Sequence, residues 1–251
     1  MKRDELVTYL DELLEVHAIA DRSDNGLQVE GAEDVERVAF AVDASAAAFR
    51  AARDAEAQML VVHHGLFWGE PVRVTGIHRR RLALLFEAGI SLYAVHLPLD
   101  FHESLGNNAT LARWLGMEGT RPFGDYKGQA AGVIGSLPRA LPFDRFVARV
   151  EEVLGKPVTG SWPFGDQSVR RVAIVSGSAG SLVDQAAASG ADVYLTGEVS
   201  HSAYHQALEL KMNVVYGGHY ATETAGLKAL AGHLAGEFPL QTVFLDLPTG
   251  T

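Results

Sequence analysis

The 251-residue sequence predicts an α/β protein built from two related α/β subdomains of the three-layer α/β/α type, arising from an internal duplication. Three observations carry this. Short β-rich runs alternate with alanine-rich stretches long enough to be helical crossovers. A strand–helix–strand segment recurs at a fixed offset. In both copies the second strand ends in a polar pair, where open α/β sheets form their ligand crevices.

Taken in order, Leu6, Tyr9, Leu10, Leu13 and Leu14 recur at helical spacing and predict a first helix over Glu5–Val16. A polar loop through Asp24-Asn25-Gly26 follows. The runs Val38–Val42, Met59–Val62 and Leu92–Val95, then Val172–Val175, Val193–Leu195 and Val214–Tyr216, read as strands of parallel sheets. Between the two sets, glycine-rich Phe123–Ser136 reads as a domain junction, and a helix is expected over Phe143–Leu154, just after Pro142. The domain expectation is residues 1–125 with about 226–251 as the first subdomain and 126–225 as the second, with a metal site between them.

The repeat has an offset of 134 positions, laying Arg37-Val38-Ala39-Phe40-Ala41-Val42 over Arg171-Val172-Ala173-Ile174-Val175-Ser176. At that offset His63-His64 meets Gly197-Glu198. The next strands, Ile90–His96 and Met212–His219, each end in histidine, with Asp100 and Glu223 four residues on. If Tyr220–Leu234 is helical, His219 and Glu223 stand one turn apart on one face and converge on one ion. His63 and His64 are adjacent, so an extended strand points them apart. They serve one site only if the backbone bends or two ions lie side by side. Gly65 makes a bend plausible.

Composition narrows the chemistry. With no cysteine in the chain, disulfides, thiolate zinc sites and cysteine nucleophiles are excluded, and any metal sits on nitrogen and oxygen. Mixed imidazole and carboxylate donors suit zinc, iron, manganese or nickel rather than calcium or copper(I). The formal charge of −10 opposes nucleic-acid binding. The first residues lack a signal-peptide stretch, and no apolar run approaches the roughly 18 residues of a bilayer span, so a soluble cytoplasmic protein without a membrane partner is expected. No serine elbow or dinucleotide fingerprint is present.

The candidate metal ligands are therefore His63, His64, Asp100, His219 and Glu223, forming a dinuclear centre with two divalent ions per chain. His201 is the first choice for general acid or base, with His102 and His205 also near the ligands in sequence. His96 taken alone reads as a hydrogen-bonded strand-end residue, and its role stays open. Gly177-Ser178-Ala179-Gly180-Ser181 reads equally as an anion-holding loop or a tight turn.

The motifs His63-His64-Gly65-Leu66-Phe67-Trp68, His96-Leu97-Pro98-Leu99-Asp100 and Gly218-His219-Tyr220-Ala221-Thr222-Glu223 resemble the YbgI-like dinuclear-metal family. Many of its members carry the name GTP cyclohydrolase 1 type 2 homologue. Asp24-Asn25-Gly26-Leu27-Gln28-Val29, Gly106-Asn107-Asn108 and Gly197-Glu198-Val199-Ser200 extend the similarity nearly end to end. The resemblance implies a toroidal homohexamer whose metal sites face an internal cavity. It also implies that His64, Asp100 and Glu223 hold one ion while His63, His219 and the bridging Glu223 hold the other. Two departures stand out: Gly65 occupies a position where many members have proline, which would loosen the turn, and the chain lacks the middle domain of longer relatives. The activity implied is a metal-dependent hydrolase acting on GTP or another small molecule. The alternative is a non-catalytic, metal-organised binding or scaffold protein.

Overall fold

The structure, a computed structural model, describes residues 1–250. The chain divides into two compact units: Met1–Leu105 with Gly226–Leu247, and Gly106–Ala225 with the residues from Pro248. Each unit has its own sheet and core.

In the first unit, helix α1 (Arg3–Leu13) leads into β1 (Gly26–Val29), β2 (Arg37–Asp43), α2 (Ala46–Asp54), β3 (Met59–His64), α3 (Gly76–Ala88), β4 (Ser91–Ala94) and the short α4 (Leu97–Phe101). The unit is completed from the far end of the chain by most of α10 (Thr224–Glu237) and by β11 (Gln241–Phe244). The sheet order is β1-β4-β3-β2-β11, with β4, β3, β2 and β11 parallel and β1 antiparallel at the edge.

Its central strands are buried on both faces, which is why they read as continuous apolar runs rather than alternating ones. On one face Ala39, Ala41, Leu60, Val62, Leu92 and Ala94 pack with Ala48, Phe49 and Ala52 of α2 and with Leu82 and Leu85 of α3. On the other, the Tyr93 hydroxyl donates to Asp11 of α1 at 2.8 Å, and Tyr9 of α1 meets His233 of α10 at 2.6 Å.

The second unit contains α5 (Asn107–Trp114), β5 (Glu118–Tyr126), β6 (Gln129–Pro142), α6 (Phe143–Leu154), β7 (Gly160–Pro163), β8 (Ser168–Val175), α7 (Val183–Ala188), β9 (Val193–Thr196), α8 (Ala203–Glu209), β10 (Asn213–Tyr216) and α9 (His219–Thr222). Its sheet order is β5-β6-β8-β9-β10-β7. Strands β8, β9 and β10 are parallel and the other three antiparallel. Val172, Ile174, Val193, Leu195 and Val215 pack on Leu111 of α5 and on Phe143, Phe146 and Val150 of α6.

The duplication is visible in strand register. Val38 pairs with Met59 and Phe40 with Val61. The same pairs shifted by 134 positions, Val172 with Val193 and Ile174 with Leu195, recur in the second sheet. The antiparallel edge strands match too, β1 beside β4 and β7 beside β10.

Two sequence expectations change. Phe123–Ser136 is no junction: it lies in the long β5–β6 hairpin, whose two-residue turn places Lys127 and Gly128 at φ 55° and 83°. A Lys-Gly pair is not the Asn-Gly or Asp-Gly that announces such a turn, so the hairpin is easily missed. Because β5 pairs with β6, residues 106–125 belong with the second unit. Secondly, β4 and β10 align at an offset of 122, Ser91 matching Asn213, so His96 corresponds to Gly218 rather than His219. Both His96 and Gly218 are helix N-caps, and His219 is the first helical residue.

Candidate metal centre

In the first unit the chemistry gathers at the carboxyl ends of β3 and β4. His63 is fully buried. Its Nδ1 lies 2.9 Å from the Val95 carbonyl oxygen, which only accepts, so the single proton of a neutral ring is on Nδ1. Nε2 then faces Asp100 Oδ2 at 3.4 Å. A neutral imidazole meets that carboxylate lone pair to lone pair in a buried setting, an arrangement that a shared cation, a proton or a metal ion, would stabilise.

His64, the last residue of β3, reaches Asp43 Oδ1 through Nδ1 at 2.9 Å. Although adjacent in the strand, the two rings are each held at Nδ1 by a separate oxygen. Their centroids lie 4.8 Å apart with the planes tilted by 45°.

The turn after the histidines is clamped. The Leu66 amide donates to Gln28 Oε1 at 2.7 Å, and the Trp68 indole donates to the Gly65 carbonyl at 3.0 Å. Gly65 therefore does not loosen the turn. A Cβ there would come within 2.5 Å of the Gln28 amide and 2.6 Å of Ala94, so the side-chain clamp replaces the stiffness of a proline.

In the second unit His219 and Glu223 stand one turn apart, Nε2 to Oε2 at 3.1 Å. His219 Nδ1 is held by Glu198 Oε1 at 2.6 Å. Burial pulls the His219 pKa down, but the hydrogen bonds and charges of Glu223 and Glu198 outweigh it and push it up to about 9. The glycine-rich run after β8 serves this pair. Gly177 has φ 65°, and a Cβ on it would collide with Glu223 Oε1. The amides of Gly197 and Glu198 donate to its carbonyl at 2.9 and 3.1 Å. The tight-turn reading of this segment thus has a function, clearance for Glu223.

The sequence places Glu198 in a strand-end polar pair without showing its role as an anchor, and it gives no sign of Asp43 or of Asp21, which holds His96 Nδ1. Isolated acidic residues at strand ends and in loops carry no spacing signal, and only their contact with Nδ1 reveals them. Metal-ligating histidines characteristically donate their other ring N–H to a carboxylate or carbonyl, which orients the ring and fixes its tautomer. With no thiolate donor in the chain, this set of imidazoles and carboxylates fits a borderline divalent ion.

The other histidines divide differently. His102, at the end of α4, donates from Nε2 to the Leu13 carbonyl at 3.2 Å and accepts the Ser104 and Leu105 amides at Nδ1, 3.3 and 3.1 Å away. Burial lowers its pKa, and both nitrogens are committed to the fold. His201 is exposed just before α8, and His205 lies edge-on to Tyr204 with centroids 5.3 Å apart.

The fold and these donors define a class: a duplicated α/β protein whose strand ends carry His and Glu groups able to hold a metal ion. The model of the Duf34/NIF3 (NGG1p interacting factor 3) family matches residues 1–249, and the chain belongs to that family. The YbgI-like resemblance in the motifs is borne out. A GTP cyclohydrolase 1 type 2 homolog from Pyrococcus horikoshii is 46% identical, with all of both chains covered. One from Deinococcus radiodurans is 43% identical over 99% of this chain and 94% of its own. Among solved structures, protein ybgI superposes with a TM-score of 0.93 at 37% identity, and TTHA1606 from Thermus thermophilus with 0.92 at 45%, each over the full length of both chains.

Proposed function

We propose that this chain is a dinuclear metal-dependent hydrolase whose ligands are His63, His64, Asp100, His219 and Glu223. The observation that carries the reading is the buried face-off of His63 Nε2 and Asp100 at 3.4 Å, with the Nδ1 proton already committed to Val95. By the family analogy His64, Asp100 and Glu223 take one ion and His63, His219 and Glu223 the other. Bound together, two such ions polarise a substrate and make water a nucleophile near neutral pH. The relatives' name points to GTP, with hydrolytic opening of the purine imidazole ring at C8 and release of formate. We assign proton transfer to His201, because His102 has no nitrogen to spare. We also assign a cytoplasmic location and a homohexameric state. No helix among the described residues is long and apolar enough to cross a membrane.

A second reading, a metal-organised binding protein without turnover, draws support from the same commitment of His102 to the fold. Elemental analysis of protein purified without chelators, with a GTP assay alongside, separates the two. The hydrolase reading expects about two ions per chain, a loss of at least one in Glu223→Ala and in His63→Ala, and formate release by the loaded wild type that His201→Ala abolishes without changing metal content. Metal without turnover selects the binding reading for GTP. No metal even after reconstitution overturns both.

A further inference from the structure

One imidazole lies outside the five-ligand set yet is built like its members. His96 Nδ1 sits 3.1 and 3.0 Å from the two carboxylate oxygens of Asp21, so it donates its proton there and leaves Nε2 as the basic nitrogen. No protein group hydrogen-bonds that Nε2 among the described residues. The ring itself stands beside the other two. The His96 ring centroid is 5.0 Å from that of His63 and 5.6 Å from that of His64, and one ring nitrogen from each of the three histidines lies within 4.8 Å of the others. A tetrahedral ion with metal–nitrogen bonds of about 2.1 Å spaces its donors about 3.4 Å apart. Shortening these separations by about 1.4 Å would bring all three onto one ion.

The residues around His96 hold it for this purpose. Asp21 is 4% exposed at its side chain. Burial opposes its ionisation, yet hydrogen bonds from His96, Asn25 and the Leu97 amide hold its carboxyl well below the usual range. It also accepts from Asn25 Nδ2 at 3.1 Å and from the Leu97 amide at 3.0 Å, while Asn25 Oδ1 receives the His96 amide at 2.8 Å. The Trp68 indole packs edge-on against the His96 ring, centroids 5.1 Å apart. A buried carboxylate, an amide clamp and an indole thus fix one ring, the support that ligating histidines receive.

We propose that, when His219 and Glu223 do not contribute, His63 and His64 leave their separate ions and join His96 in a three-imidazole site within the first unit that binds one divalent transition-metal ion, and that Asp21 is its positioning residue. This rests on the metal-binding reading above. The all-nitrogen donor set takes zinc, cobalt or nickel in preference to manganese or magnesium, which favour oxygen.

The test uses the full chain carrying His219→Ala and Glu223→Ala, stripped with chelator and titrated with Co²⁺. Binding is followed by visible absorption, by quenching of Trp68 fluorescence and by elemental analysis. The expected result is one ion per chain with nitrogen-type cobalt bands. Adding His96→Ala or, to preserve bulk, His96→Gln should remove that ion. Adding Asp21→Asn should weaken it about 10–100-fold and shift the bands, which a purely structural role would not do. Melting of each metal-free variant checks that the fold survives. A double variant that binds nothing while wild type binds two ions overturns this proposal and leaves the dinuclear reading standing. So does retention of full affinity without His96. A wild type that binds no metal overturns both.

Discussion

At the residue scale the centre is set by which ring nitrogen keeps its proton. His63, His64 and His219 each present Nε2 because an oxygen holds Nδ1. Asp43 is partly exposed and anchors only His64, so Asp43→Ala should leave folding intact and weaken metal affinity about 10–100-fold, as read by competition with a chromophoric chelator. His219 adds a pH dependence. Its pKa is raised from about 6.5 to about 9 in the metal-free protein. The stabilisation from its charged form is therefore complete below pH 6.5 and lost as pH rises through 9. Chelated protein should melt lower at pH 9.5 than at pH 6.5. Metal uptake at pH 7 should release a proton, seen as buffer-dependent heats in calorimetry; buffer-independent heats would contradict the assignment. The ligand types and the His219–Glu223 spacing were legible in the sequence. Asp21 and Asp43 were not, and Glu198 only as one of a strand-end polar pair, because a carboxylate in a loop or at a strand end is indistinguishable from a solvated one until a ring lies against it.

At the element scale, the strands that were legible are those buried on both faces, where apolar runs leave no ambiguity. The missed ones are edge strands and hairpins: β1, β5, β6, β7 and β11 are short, glycine-bearing or half exposed, and their pairing comes from neighbours distant in sequence. The β5–β6 turn offers a measurement. Lys127 sits at φ 55°, a conformation that costs an L-residue with a long side chain about 1 kcal/mol and that Asn tolerates better. Lys127→Asn should raise stability by about 0.5–1 kcal/mol in urea unfolding without altering metal content. No gain would mean that the turn is held by other contacts, such as the Gly128 amide to Asp125 Oδ1 at 2.9 Å.

At the scale of the whole molecule, two sheets share one strand register. The offset that joins them was legible in residues 37–42 and 171–176, but the one-residue slip at His96 was not, because two strands that both end near a histidine align on those histidines until strand pairing fixes the shift. The proposed hexamer predicts a solution mass near six times the 26.9 kDa of the chain, measured by light scattering; a monomer would remove that assignment. Chelation should lower the melting temperature, because an ion that binds only the folded state at 100 times its Kd adds about 2.7 kcal/mol.

Register also makes positions 64 and 198 counterparts. One now bears a ring and the other the acid that steers a ring. Two identical subunits in a symmetric pair cannot divide labour in this way, since every substitution appears twice. Tandem fusion removes that constraint. The proposed ligands are split in the same way, His63, His64 and Asp100 in one unit and His219 and Glu223 in the other, so the proposed dinuclear centre predicts that separating the copies costs metal content even where both pieces fold.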